Sequence, residues 1–165
     1  MDLKFKNMKK LFITAAIATM FSFTALADDG GKKNKTEAGV STTALTHFAT
    51  DFYTVTDVTW SVTANCQKAT FLQDGVTTTA FYDLSGQFIG TTNKIEYATL
   101  TTDQKESVAK KYAGYDVVEV IRFNYAGASA DVNPIVYFID LKKGDSEVIL
   151  KTGPNEGLSF YKKVK

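Results

Sequence analysis

The sequence has very few of the residues that build cross-linked, metal-binding or nucleophilic sites. Its 165 residues include one cysteine, Cys66, and one histidine, His47. An internal disulfide needs two cysteines, and a zinc site needs three or four ligands drawn mostly from Cys and His. Neither a glycine-rich nucleotide-binding loop nor an acidic calcium-binding loop is present. The sequence therefore predicts no metal, no cofactor and no catalytic residue, and Cys66 is expected to be buried.

Long apolar runs are also scarce, and the one that is present lies near the amino terminus. Residues 11–23 are uncharged and mostly apolar; lysines precede them, and Ala25-Leu26-Ala27 follows. This order predicts a cleaved signal peptide at residues 1–27, with Met1 or Met8 as the start. An uncleaved anchor is the alternative, but the run is shorter than the ~20 residues that cross a bilayer. The mature chain is therefore predicted to be periplasmic or secreted, without a membrane span.

The mature chain has no excess of charge of one sign. Residues 28–165 keep 15 of the 19 basic residues and 17 of the 18 acidic ones, which gives a net charge of −2. A nucleic-acid partner calls for a basic face, so none is predicted. Residues 28–40 are polar, charged and glycine-containing, and they are predicted to form a flexible leader. Residues 41–165 are then predicted to form a single domain.

Two segments have the spacing of amphipathic helices. After Ser41, a suitable N-cap, apolar residues recur every three or four positions and predict a helix at 42–53. A second helix is predicted at 103–112, where Thr101 or Thr102 is the cap and Gly114 follows the last turn. Neither helix is long enough to be stable alone, so each is expected to pack on a sheet.

Eight further segments have the composition and spacing of strands. They are rich in Thr, Val, Phe and Tyr and are separated by turn residues such as Asp74-Gly75, a typical hairpin sequence. The predicted strands are residues 57–63, 66–73, 76–83, 87–97, 116–125, 134–141, 146–151 and 158–164.

The order of these elements indicates an internal repeat. The segment FYTVTDVTW at 52–60 aligns with YAGYDVVEV at 112–120, at an offset of 60 residues. Two tandem repeats are therefore predicted, at 41–99 and 100–165, each with one helix followed by four strands. The predicted fold class is α+β, with an antiparallel sheet and both helices packed on one of its faces.

Four segments resemble one known family. DVTW at 57–60, ATF at 69–71, AFYDLSGQFI at 80–89 and KKYAGY at 110–115 are similar to the PepSY-like, β-lactamase-inhibitor-protein-like periplasmic proteins. The resemblance covers roughly residues 44–164. It implies two helix-plus-four-strand repeats, a curved sheet with the helices on its convex side, and no catalytic residues. The inhibitors that name the family bind an enzyme through their sheet face and loops, but their contact residues are not matched here, so inhibition is not implied.

The function predicted from these observations is that of an exported, non-catalytic binding module that presents a sheet face to a protein or peptide partner. Two alternatives stay open: a small exported hydrolase with an unrecognised carboxylate site, and a structural protein of the envelope. Acids with raised pKa values in a deep pocket would favour the hydrolase. The identity of the partner and the oligomeric state do not follow from the sequence.

A candidate partner-binding face follows from strand alternation. Trp60 shares the apolar phase of its strand with Val58 and Val62 and is predicted to be a core residue, with a ligand-stacking role as the alternative. The family pattern places Ala69, Phe71, Ala80 and Tyr82 on the helix side. Their neighbours then point to the opposite, open face. The predicted face consists of Thr70, Leu72, Thr79 and Phe81, in which two apolar side chains are expected to be exposed among threonines. The alternative is an error of strand phase, which one β-bulge would produce.

Overall fold

The computed structural model describes residues 39–127 and 135–164. The predicted signal peptide, nearly all of the predicted leader and most of the loop that follows Gly127 lie outside the described residues.

The described chain forms two α-helices, one short 3-10 helix and eight strands. The predicted helices and strands are all present, and their ends differ from the predicted ends by two residues or fewer. The 3-10 helix, Tyr97–Thr99, was not predicted and lies where the predicted fourth strand ended. The elements are α1 (Thr42–Asp51), β1 (Thr59–Val62), β2 (Gln67–Gln73), β3 (Val76–Tyr82), β4 (Phe88–Ile95), α2 (Thr102–Lys111), β5 (Asp116–Tyr125), β6 (Ile135–Lys143), β7 (Ser146–Thr152) and β8 (Ser159–Lys163).

The eight strands form one antiparallel sheet in which their spatial order is their order in the chain. The α+β class is therefore confirmed, whereas the tandem duplication stays a prediction. The described chain divides into two compact units. The first unit contains the described residues up to Gly75 together with Thr79–Ile89, and the second contains Val76–Thr78 together with the described residues from Gly90 onward.

The core of the first unit lies between α1 and its strands. The Ser41 hydroxyl accepts a hydrogen bond from the Ala44 amide and so begins the helix. Phe48 then packs edge-on against Trp60 and Phe71, with ring centroids 5.4 and 5.2 Å apart. Trp60 and Phe71 are both buried, as predicted. The buried residues of this cluster are Ala44, Phe48, Trp60, Ala69, Phe71, Ala80 and Tyr82.

The core of the second unit also lies between its helix, α2, and its strands. Thr101 caps α2 in a capping box with Gln104, so two amides at the start of the helix are satisfied reciprocally. Val108 on α2 faces the sheet. The buried residues of the cluster are Leu100, Val108, Val120, Ile139, Leu141, Val148 and Leu150.

The second unit also buries side chains on the face of its strands that points away from α2. Phe123, Phe138 and Ile149 are all buried there. The ring of Phe123 lies edge-on to Tyr125, and the ring of Phe138 lies edge-on to Tyr161. The expectation that the helix-free face would be open is therefore wrong for much of this unit.

Candidate functional site

The predicted phase of strands β2 and β3 is confirmed. In the register of β1 and β2, Trp60 pairs with Ala69, and both belong to the core under α1. Thr59 pairs with Thr70, one residue along, so these two point to the opposite face. Ala80 and Tyr82 of β3 are also in the core, which leaves Thr79 and Phe81 on the helix-free side.

The four residues of the predicted face differ sharply in exposure. Leu72 is 62% exposed, whereas Thr79 and Phe81 are only 3% and 1% exposed. Thr70 is half-buried, and its hydroxyl oxygen lies 3.1 Å from that of Thr79. The prediction that Phe81 is accessible is therefore wrong, and Thr79 is buried as well. Both lie on β3, whereas Thr70 and Leu72 lie on β2, one strand nearer the edge of the sheet.

An accessible part of the helix-free face lies on β1 and β2. It is called here the open β1–β2 surface and consists of Thr59, Ser61, Lys68, Thr70 and Leu72, which alternate with the core residues of the same strands. Burial lowers the pKa of Lys68, and the nearby Cys66 opposes that effect. This surface combines one exposed apolar side chain, three hydroxyl groups and one partly desolvated ammonium group.

His47 and the buried Gln67 have structural roles at the start of α1. The Gln67 amide donates to the Asp83 carbonyl at 2.8 Å and to the Ser41 hydroxyl at 3.1 Å. The Nδ1 atom of His47 lies 3.1 Å from the Gly86 carbonyl oxygen. These contacts hold the turn at residues 83–87 against the helix, and the His47 ring contacts a backbone carbonyl of that turn.

A cleft of about 400 Å³ lies in the second unit, beside the start of α2. It is lined by Thr101, Asp103, Gln104, Ser107 and residues 154–158. The Gln104 amide closes one end by donating to the Gly153 carbonyl at 2.8 Å. The lining is polar and holds two carboxylates, Asp103 and Glu156, neither of which was predicted to form a site. Sequence alone gave no signal for the cleft, because it depends on the path of the turn after β7.

Asp140 is the carboxyl group with a strongly perturbed pKa among the described residues. Burial, then Glu147 and Glu119, raise its pKa to about 6, and Lys142 works in the opposite direction. Asp140 is not among the residues that line the cleft. Within residues 39–127 and 135–164, no group of three or more His, Cys, Asp or Glu side chains is arranged to hold a metal ion.

No protein-family model matches the sequence, and no curated protein matches it. Solved structures do match. A BLIP-like protein from Bacteroides fragilis is 16% identical with a TM-score of 0.61, over 75% of this chain and 86% of that one. The fold is that of the BLIP-like proteins. A DUF2874 family protein from Bacteroides uniformis is 14% identical with a TM-score of 0.61, over 72% of this chain and 85% of its own. The resemblance predicted from the sequence is thus confirmed, and at these identities it is a likeness of fold.

A third structural neighbour bears on location. It comes from Bacteroides eggerthii, is named as a candidate periplasmic protein, and is 11% identical with a TM-score of 0.60, over 73% of this chain and 88% of its own. None of the described helices has the length and hydrophobicity needed to cross a membrane. The description of the Bacteroides eggerthii protein is compatible with the periplasmic location predicted for this chain.

Proposed function

We propose that this chain is an exported, non-catalytic binding module that uses the open β1–β2 surface to hold a protein or peptide partner in the periplasm. The observation that carries the proposal is Leu72, a large apolar side chain that is 62% exposed on the side of the sheet away from α1. An exposed apolar group rimmed by polar residues is typical of a protein contact. The BLIP-like fold and the signal-peptide pattern support export.

The chemistry of the surface indicates what the partner carries. Leu72 offers an apolar contact, and Thr59, Ser61 and Thr70 offer hydroxyl groups that both donate and accept hydrogen bonds. Lys68 supplies the charge, and its ammonium group is already partly desolvated, so a carboxylate of the partner would recover the lost solvation. A segment with an acidic residue beside an apolar one fits this arrangement.

The test compares two exposed leucines of the first unit. Leu72 and Leu84 are 62% and 56% exposed, and only Leu72 belongs to the open β1–β2 surface. Immobilised wild-type protein, Leu72→Glu and Leu84→Glu are used to capture proteins from an envelope extract, and the melting temperature of each is measured. We expect Leu72→Glu to lose a partner that wild type and Leu84→Glu retain, with all three melting alike. A partner retained equally by all three would contradict the proposed surface.

A second pair of variants tests the charge. We expect Lys68→Glu to weaken capture of the same partner more than Lys68→Met does, because only Glu repels an acidic residue. If the two variants bind equally, the partner does not use a carboxylate at this position.

The alternative of a small hydrolase draws on one observation, the raised pKa of Asp140. Two facts weigh against it. Asp140 is only 3% exposed, and it does not line the cleft in which a substrate could sit. The alternative of a structural envelope protein predicts that no partner depends on Leu72, so the capture experiment separates it from a binding module.

A further inference from the structure

Asp140 is a buried carboxyl group in the middle of β6. It pairs directly with Glu119 on β5 and with Ile149 on β7. Directly paired residues of antiparallel strands project to the same face, so the two carboxyl groups are neighbours. Asp140 is 3% exposed, and its Oδ1 atom has no hydrogen-bond partner in the described part of the chain. A buried, unpaired oxygen of this kind requires an explanation.

Charged groups surround Asp140 on every neighbouring strand. Glu147 on β7 pairs with Lys142 on β6, two residues along from Asp140 and on the same face. Lys94 on β4 approaches Glu119, with Nζ 3.8 Å from Oε2. Lys151 on β7 lies opposite Phe138, and Lys162 on β8 lies opposite Ile149, which places both on this face as well.

Asp140 differs from the other two acids, Glu119 and Glu147, in the groups that lie beside it. Glu119 has the Lys94 ammonium group beside it, and Glu147 lies opposite Lys142. Asp140 is instead flanked by Glu119 on one strand and by the apolar Ile149 on the other. A carboxylate that is buried without a partner is costly, and taking up a proton removes that cost.

We propose that Asp140 is a proton-binding site of the folded chain, occupied in mildly acidic solution and vacated near neutral pH, where it leaves a buried carboxylate beside Glu119 and Glu147. The electrostatics agree, because burial, Glu147 and Glu119 raise the pKa of Asp140 from 3.8 to about 6. The site makes the stability of the second unit sensitive to solution pH. It does not depend on the partner proposed above.

The sign of the effect follows from linkage. The folded chain binds this proton more tightly than the unfolded chain does. The stabilisation by the proton is therefore complete below about pH 3.8 and is lost as the pH rises through about 6. Between pH 4.5 and pH 8 the loss corresponds to on the order of 30-fold in the equilibrium constant for folding.

The test is urea unfolding of the exported chain between pH 4.5 and pH 8. Wild type is compared with Asp140→Asn and with the control Asp145→Asn, which replaces an exposed acid in the turn between β6 and β7. We expect the ratio of the Asp140→Asn and wild-type folding constants to rise on the order of 30-fold over this range. Asp145→Asn should keep a constant ratio to wild type. A constant ratio for Asp140→Asn would overturn the proposal.

A direct titration keeps the proposal testable even if Asp140→Asn fails to fold. The carboxyl carbon of Asp140 is followed by NMR as the pH is raised, in wild type, Glu119→Gln and Lys142→Met. We expect a midpoint near 6 in wild type, a lower midpoint without the Glu119 charge and a higher one without the Lys142 charge. A wild-type midpoint near 4, or midpoints that do not move in the two variants, would overturn the proposal.

Discussion

Tyr82 on β3 is a completely buried tyrosine whose hydroxyl group has no hydrogen-bond partner among the described residues. Its ring lies among aromatic neighbours, with centroids 5.7 Å from Trp60 and 5.5 Å from Phe88. Burial raises the pKa of Tyr82, and Asp51 contributes to that shift. The hydroxyl group therefore places a polar atom in an apolar cluster without forming a hydrogen bond there.

Replacement of Tyr82 by Phe removes this atom and keeps the ring. Leaving a buried hydroxyl group unsatisfied costs about 1–3 kcal/mol, and the ring contacts contribute equally before and after the change. We expect Tyr82→Phe to raise the free energy of unfolding by about 1 kcal/mol, measured by urea denaturation at pH 7. The void left by one oxygen atom offsets part of the gain, which is why the lower end of the range is expected.

A second tyrosine provides the control. The Tyr115 hydroxyl oxygen lies 3.2 Å from the Ser146 hydroxyl oxygen, so its hydrogen bond is made. Tyr115→Phe should therefore lower the free energy of unfolding by about 1 kcal/mol, the usual net value of one hydrogen bond. If Tyr82→Phe were destabilising to the same extent as Tyr115→Phe, the buried hydroxyl group would have a partner after all, and the reasoning would be refuted.

Three further outcomes are expected. Trp60→Ala should cost about 3–5 kcal/mol of stability, since it removes a buried ring in contact with Phe48, and an unchanged melting temperature would place Trp60 outside the core. Gly86→Ala should destabilise the chain by more than Gly75→Ala: both glycines have positive φ, of +87° and +78°, but only at Gly86 would a Cβ lie 2.6 Å from a backbone nitrogen. Mass spectrometry of exported protein should find a chain that begins after residue 27, and a retained apolar run would disprove cleavage.

The strands and turns could be predicted because their local chemistry is unambiguous. The Asp74-Gly75 turn is an example: both residues have positive φ, 51° and 78°, as a two-residue hairpin turn of type I′ requires. In the sequence of β5, Val117 and Val120 do not fit strict alternation, and the cause is equally local, a β-bulge between Val117 and Glu119. The strand phase of Phe71 and Tyr82 also followed from the residues and the family pattern.

What the sequence could not provide is the surroundings of the face away from the helix. Alternation says to which side Phe81 or Asp140 points, but it does not say what else lies on that side. Phe81 and Asp140 are almost completely buried. Leu72 also faces away from the helix, yet its side chain is 62% exposed. The candidate surface was therefore predicted with the correct orientation, but it included the buried Thr79 and Phe81 and omitted the β1 residues and Lys68. The environment of Asp140 had no sequence signal at all.

The start of each helix shows how one structural requirement is met by different residues in the two units. In the first unit, Gln67 on β2 binds the Ser41 cap and the turn after β3. In the second unit, the amide that binds the turn after β7 comes from the helix itself, from Gln104. A buried amide group satisfies several backbone and hydroxyl partners at once, and either element can supply it. A duplication would therefore preserve the contact between the helix start and the turn without preserving the residue that makes it. Comparison of the two repeats in sequence accordingly aligns the strand starts more clearly than the helix starts.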